Sequence, residues 1–224
     1  MLLRIRQRSP CVLIPSITTE PDPGRPLNAA EFERQLRANA HAYHNYHAFN
    51  VLLNSGRASP EQMRGWVANR FYYQIHIPRR DTAVDPWVRL GAAVGLTANE
   101  MWSTEHVLPE VRAAVNDYVD LTRQQPWQEA VCASLTELFA AQLYSAQLGH
   151  WPALYPWIEA TGLEYFCEKM RLTPQDIDAG LRVTLEYFQS RDGQSRALEL
   201  LRLKLDLLWS ILEAIQRGYG PQAG

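Results

Sequence analysis

Lysine is nearly missing from this chain of 224 residues. Only Lys169 and Lys204 occur among the 22 basic residues, so arginine fills the other positions. Runs of basic residues are also absent, and the formal net charge is −2. These two features argue against a nucleic-acid partner and against binding to a membrane surface. A hydrophobic content of 46% instead indicates a globular domain with a sizeable core.

Cysteine is scarce as well. Cys11, Cys132 and Cys167 are odd in number and widely spaced, with no Cys-x-x-Cys pair. This usage is typical of a reducing compartment, so we expect a cytoplasmic protein. The apolar patch at residues 11–14 is too short for a signal-peptide core or a membrane span. Four prolines within residues 1–25 predict a flexible extension over residues 1–26, which leaves residues 27–224 as one domain.

Strand signals are absent too, because the chain has no alternating β-branched runs and no Asn-Gly hairpin turns. Helix starts are plentiful. Capping boxes begin at Asn28, Ser59 and Thr97, and Pro109 and Pro126 each precede a helical stretch. The sequence therefore predicts an all-α, single-domain bundle of about seven helices.

The helix boundaries follow from the same signals. The first helix is predicted to run from Asn28 toward Leu53 and to end near Gly56. Pro152 is expected to break regularity in a connection at residues 151–155, and Pro174 to begin a separate helix.

Lys204 occupies an unusual position in the last predicted helix. At about 100° per residue, it points away from the polar arc of residues 198–217 and toward leucines. One explanation is snorkelling, in which the aliphatic stem is buried and the ammonium reaches water. The other is an ammonium held in a cavity that faces an anionic ligand. Helical geometry alone leaves both explanations open.

Polar groups also share an apolar face in the second predicted helix. Arg70, Tyr73 and Gln74 lie on one side with Trp66, which favours the lining of a polar pocket over three unrelated core or edge residues. His41, His44 and His47 follow a spacing of three residues on the first predicted helix. A structural histidine or one acid–base histidine is favoured there over a metal site, since Glu-x-x-His pairs are absent.

Other chemistry has little support in the sequence. Cys132 lies in an apolar helical stretch, where a buried inert thiol is the usual case. The chain has no Gly-rich phosphate loop and no G-x-S-x-G motif. The residues by themselves therefore indicate a helical bundle around a basic, tyrosine-rich cavity suited to a planar carboxylate ligand.

Six segments of the chain resemble the pyrroloquinoline-quinone (PQQ) synthase family. They are Gly65-Trp-Val-Ala-Asn-Arg-Phe-Tyr-Tyr-Gln74 with Ile77-Pro78, residues 87–96, residues 105–109, residues 134–140, residues 155–158 and residues 204–209. The resemblance implies a haem-oxygenase-like fold and a homodimer. It also implies the final step of PQQ biosynthesis, in which O2 drives ring closure and eight-electron oxidation of a tricarboxylated quinone precursor. The family uses neither a metal nor an organic cofactor, and PQQ is the product.

The resemblance further implies which residues form the site. The catalytic residues would be His44, as a proton-transfer group, with Arg70, Tyr73, Tyr165 and Lys204. The substrate-binding residues would be Gln74, Arg80, Tyr118, Thr136 and Lys169. Cations would hold carboxylates and stabilise negative charge on reduced oxygen.

The chain departs from the family pattern at several places. The family has Lys at Arg80, Arg at Lys169, His at Tyr144 and Arg at Gln147. Between Asp81 and Trp87 the family also has about thirty more residues, enough for about two helices. That segment carries a His-Asp-Gly string whose histidine is a principal acid–base group. The loss of this segment is expected to admit water to the cavity and to uncover apolar helix faces.

Because of these departures, functions other than PQQ synthesis remain open. One is a catalytically impaired relative that binds PQQ or its precursor as a carrier. Others are a thiamine-degrading hydrolase that uses Cys132, or a di-iron oxidase on the same fold.

Overall fold

All regular structure in the described part of the chain is helical. The computed structural model describes residues 24–77 and 84–220. Ten α-helices occur there: α1 Ala29–Arg37, α2 Ala48–Asn54, α3 Pro60–His76, α4 Val84–Ala93, α5 Ala98–Ser103, α6 Pro109–Arg123, α7 Trp127–Ala133, α8 Glu137–Leu154, α9 Glu164–Tyr187 and α10 Arg191–Tyr219. The all-α prediction is confirmed, with more and shorter helices than the seven expected.

The predicted helix starts are confirmed by their caps. Asn28, Ser59 and Thr97 each accept a hydrogen bond from the backbone N–H three residues on. In each case the side chain of that third residue returns a bond to the capping residue, which completes a capping box. Local sequence therefore determines where α1, α3 and α5 begin.

The single helix predicted from Asn28 to Leu53 is wrong. The chain leaves α1 at Arg37 and passes through two short 3₁₀ turns, Ala38–Ala42 and His44–Tyr46. Tyr43 and His47 adopt extended backbone angles between these elements, so the helix cannot continue. Both side chains are buried, which indicates that core packing overrides helix propensity here.

The two prolines do not break the helices that contain them. Pro152 lies in the last turn of α8, and Pro174 lies inside α9. A proline in a helix removes one N–H donor. Immediately before Pro174, the Thr173 hydroxyl donates to the carbonyl of Lys169 at 2.6 Å, and α9 packs along α8 and α7. Packing thus keeps α9 continuous where the sequence predicted two helices.

The longest helix, α10, lies at the centre of the fold. It contacts α1, α2, α3, α6 and α7, and its buried face carries mostly leucine and isoleucine. The Gln194 side chain on α10 pairs with the backbone N–H and C=O of Leu27 at 2.8 and 2.9 Å. The predicted extension at residues 1–26 lies almost entirely outside the described residues. No helix in the described ranges is both long and apolar enough to cross a membrane.

Candidate functional site

A cavity lies between α2, α3, α4, α8, α9 and α10. Its free space is about 390 Å³, the part open to solvent included. It is narrow and accepts on the order of one or two water molecules. Rings and leucines form most of its wall, and its polar lining consists of His44, Asn50, Arg70, Tyr144, Gln147 and Tyr165.

The described part of the cavity wall is closely packed, and the cavity keeps a part that is open to solvent. Every lining residue is buried except Arg70, which is partly exposed. The ring of Trp87 packs at 5.4 Å from Trp66 and at 4.5 Å from Tyr165. These aromatic side chains fill most of the described wall without the segment that the family carries.

Helix α3 contributes one polar residue to the cavity lining, Arg70, whereas the sequence predicted that Arg70, Tyr73 and Gln74 would line the pocket together. The Arg70 guanidinium lies over the Tyr73 ring at 4.5 Å from its centre. One residue further along α3, the Gln74 amide donates to the Tyr165 hydroxyl at 2.5 Å. This bond ties α3 to α9 and places the Tyr165 oxygen at the cavity.

Lys204 is buried and does not snorkel to water. Its side chain is 1% exposed. The ammonium lies 3.9 Å from the centre of the Tyr118 ring and 4.7 Å from that of Tyr73. Cation–π contacts of this kind contribute about 2 kcal/mol when desolvated. Lys204 does not itself line the cavity, and the Tyr73 ring connects it to Arg70.

His44 is a neutral histidine at physiological pH. Burial, reinforced by the nearby Arg70 and His47 side chains, lowers the pKa of His44 to about 3. Its ring stacks on Tyr43 with centres 4.2 Å apart. A side chain with so low a pKa is a weak base but a good hydrogen-bond donor or acceptor.

The lowered pKa of His44 predicts an acid-sensitive fold. In the unfolded chain a histidine binds its proton near pH 6.5, whereas in the folded protein it does so only near pH 3. The unfolded state therefore holds more protons between these values, and stability falls as the pH falls through that window. We expect a slope of up to about 1.4 kcal/mol per pH unit.

Chemical denaturation across that pH range measures the slope, with His44→Gln as the comparison because this variant removes the buried imidazole. Burial also lowers the pKa of His47, so some slope is expected to remain in the variant. Equal slopes in the two proteins would contradict this assignment.

A second polar group lies where α8 meets α9. The Lys169 ammonium, 1% exposed, pairs with the Glu137 carboxylate at 3.3 Å. Thr136 is buried immediately before Glu137 in the chain. Burial and the Glu137 charge raise the pKa of Tyr43, which keeps its hydroxyl protonated between this ion pair and the cavity.

The predicted site residues therefore fall into three groups. His44, Arg70 and Tyr165 line the cavity. Tyr73 and Gln74 contact the lining residues Arg70 and Tyr165 directly. Lys204 reaches the lining only through the Tyr73 ring, and Tyr118 only through Lys204. Thr136 and Lys169 lie at the junction of α8 and α9, and Arg80 lies outside the described residues.

Several residues at the site were not predicted as site residues. Tyr43, Asn50 and Glu137 carried no sequence signal beyond residue type. Tyr144 and Gln147, where the family has His and Arg, line the cavity directly. The Gln147 side chain is buried, and its oxygen accepts no hydrogen bond from the described residues.

The chemistry of the alternative enzymes is not assembled here. Cys132 is fully buried, and burial raises the pKa of its thiol to about 12. Its sulfur donates to the carbonyl of Ala197, so a thiolate nucleophile is disfavoured as the sequence indicated. Across residues 24–77 and 84–220, the one group of potential metal ligands is Glu100, Glu105 and His106, which lies away from the cavity.

The fold and site thus define a helical protein with a buried, cationic and aromatic cavity. The TENA/THI-4/PQQC family matches residues 33–85 and 80–214, and the chain belongs to this family. Pyrroloquinoline-quinone synthase of Pseudomonas aeruginosa is 44% identical over 223 residues, covering 86% of this chain and 89% of the relative. That of Pseudomonas entomophila is 42% identical over 224 residues, covering 87% and 89%.

A solved structure supports the fold independently. A TenA homolog from Pseudomonas syringae pv. tomato superimposes with a TM-score of 0.66 and covers 87% of this chain and 97% of its own. Its sequence identity is 13%, so this likeness shows the fold alone. It agrees with the haem-oxygenase-like bundle implied by the sequence.

The comparisons also locate the shortened segment. The match to Pseudomonas aeruginosa spans 223 positions, yet 86% of this 224-residue chain is only about 193 residues. About 30 positions of the relative therefore have no counterpart here. The family match also divides into two parts at residues 80–85. This break coincides with the stretch between Asp81 and Trp87 where the sequence predicted missing residues.

Proposed function

We propose that this protein is an oxidase of PQQ biosynthesis that performs the final ring closure and eight-electron oxidation of a tricarboxylated quinone precursor. The observation that carries the proposal is the identity of 42–44% with pyrroloquinoline-quinone synthases along 86–87% of the chain. The same comparison favours a synthase over a carrier.

The charges and hydrogen-bonding groups of the cavity wall support this reaction. Because the cavity has room for only about one or two water molecules, its wall must move apart when the precursor binds. The substrate is a polyanion, and two cations flank the Tyr73 ring beside the cavity, Arg70 at 4.5 Å and Lys204 at 4.7 Å from its centre. Their combined field attracts carboxylates and stabilises negative charge that develops on reduced oxygen. Tyr165 is a neutral hydroxyl held by Gln74, and it would orient a quinone oxygen.

The protein's task in this proposal is orientation and proton handling. An electron-rich quinol passes electrons to O2 directly, so O2 is the electron acceptor and neither a metal nor an organic cofactor takes part. His44, Arg70, Tyr73, Tyr165 and Lys204 would act on the reacting ring. Gln74, Arg80, Tyr118, Thr136 and Lys169 would bind the rest of the substrate.

The proposal extends to assembly and location. The family resemblance implies a homodimer, and the cysteine usage fits a cytoplasmic protein. Analytical ultracentrifugation of the purified chain tests whether it forms a homodimer.

Oxygen uptake tests the proposed reaction. We expect the purified protein to consume O2 when the precursor is added and to release a compound with the absorbance spectrum of PQQ. A carrier would bind the precursor or PQQ but would leave O2 uptake at the rate seen without protein. Binding without such uptake would therefore reject the synthase in favour of the carrier.

A further inference from the structure

The orientation of the Asn50 side chain is determined by its surroundings. Its amide nitrogen lies 3.1 Å from the backbone oxygen of His44 and 3.1 Å from Nδ1 of the same residue. A carbonyl oxygen can only accept, so the group facing it must be the amide NH₂. That NH₂ also faces Nδ1, and Nδ1 must therefore accept. A neutral imidazole carries one proton, which places it on Nε2 of His44.

We infer that Asn50 is a positioning residue that fixes His44 as the Nε2–H tautomer, so that a neutral imidazole offers a hydrogen-bond donor to the cavity. The tautomer follows from the contacts of Asn50 alone. Only the identity of the ligand that the donor would bind rests on the proposed function. The group recognised is an acceptor, either a quinone oxygen of the substrate or a reduced oxygen species. A donor at that place orients the acceptor and stabilises its negative charge.

Asn50 is itself held by the turn that precedes it. His47 is the N-cap of α2, and its Nδ1 accepts from the backbone N–H of Phe49 at 3.1 Å. On the other side of the ring, Nε2 lies 3.3 Å from the Glu213 carboxylate on α10. The N-cap of α2 thus contacts α10, and Asn50 lies less than one turn later with 2% of its surface exposed. A residue anchored in this way holds its partner ring in one orientation.

The charges around His44 keep the ring neutral. Arg70 on α3 is the cation that lowers its pKa together with burial, and His47 on the preceding side of α2 adds to this effect. The other titratable groups that share the cavity are the hydroxyls of Tyr43, Tyr144 and Tyr165, and α10 contributes the apolar Leu212. No described carboxylate lines the cavity, so no negative charge there favours an imidazolium.

Nitrogen NMR of protein labelled at the histidine rings tests the tautomer without any turnover. The bare and the protonated ring nitrogens resonate far apart, and their couplings to the ring protons identify each position. The chain has six histidines, and His44→Gln identifies the signals of interest by their disappearance. In the wild-type protein near pH 7 we expect Nδ1 of His44 bare and Nε2 protonated. A protonated Nδ1 would overturn the inference.

Asn50→Asp provides the second arm. A carboxylate accepts from Nδ1–H, so we expect this variant to move the proton to Nδ1 and to raise the pKa of His44. An unchanged His44 spectrum in a folded Asn50→Asp protein would overturn the inference. Asn54→Asp, at the end of the same helix, is the matched control because Asn54 contacts Trp151 and not His44; its His44 signals should match the wild type.

Turnover is the third arm. Losing one oriented donor lowers kcat by about 10²- to 10³-fold, and we expect this for Asn50→Asp with a smaller change in KM. Wild-type kcat in Asn50→Asp, with the tautomer switched, would overturn the role in positioning. If the wild-type protein shows the expected tautomer but consumes no O2, the proposed function fails while the assignment of the tautomer stands.

Discussion

Oxidation of the precursor by this protein is expected to run about 10²- to 10⁴-fold more slowly than by its Pseudomonas aeruginosa relative. The chain lacks about 30 positions of that relative, and the break lies at residues 80–85. By the family resemblance, the missing stretch contains the His-Asp-Gly acid–base histidine. Positioned proton transfer contributes a factor of this size to enzymatic rates. His44 cannot replace that base because its pKa is lowered to about 3.

Transplanting the missing segment provides the test. The relative's stretch, inserted between Asp81 and Trp87, is expected to raise kcat toward that of the relative. The same insert with its histidine replaced by alanine is the matched control, since it adds the missing length of chain but not the base. O2 uptake under single-turnover conditions measures the chemical step. A wild-type rate equal to that of the relative would show that the chain has another base.

The sequence predicted those parts of the fold that depend on local chemistry. Capping boxes at Asn28, Ser59 and Thr97 mark the starts of three helices because each motif satisfies its own backbone donors. The interruption at Tyr43 and His47 was not predictable in this way. Those residues leave the helical region because their rings pack against Phe139 and Trp209, and such contacts do not exist until distant helices meet.

In the site, too, some residues could be predicted from local sequence and others only from tertiary contacts. Lys204 was recognisable because a charge on the apolar face of a regular helix violates the helical pattern. Asn50 violates no pattern, and its importance comes only from the approach of α2 to the turn at His44. Gln147 and Tyr144 were recognised as departures from the family, but only the packing of α8 places them at the cavity.

Arg70 should dominate the binding of the polyanionic product. Of the described lining residues, Arg70 alone carries a permanent charge, and it is partly exposed. Hydrogen bonds to charged groups contribute about 1.5–3 kcal/mol, so Arg70→Met is expected to weaken PQQ binding by about 10- to 100-fold. Lys204 also contacts the Tyr73 ring, but it does not reach the cavity. Lys204→Met should therefore cause a smaller loss than Arg70→Met.

The matched control is Arg64→Met. Arg64 lies on the same helix with a similar partial exposure, but it lines a separate surface pocket near Gly95. Titration followed by quinone absorbance gives the three affinities, and thermal unfolding of each variant separates lost contacts from lost structure. We expect the largest loss of PQQ affinity in Arg70→Met, a smaller loss in Lys204→Met and no loss in Arg64→Met. An Arg70→Met protein that remains folded and binds PQQ as tightly as the Arg64 variant would show that the carboxylates bind elsewhere. A loss of PQQ affinity in Lys204→Met that exceeds the loss in Arg70→Met would mean that the Tyr73 ring moves aside when PQQ binds. Only after such a movement can the buried ammonium of Lys204 contact a carboxylate of PQQ.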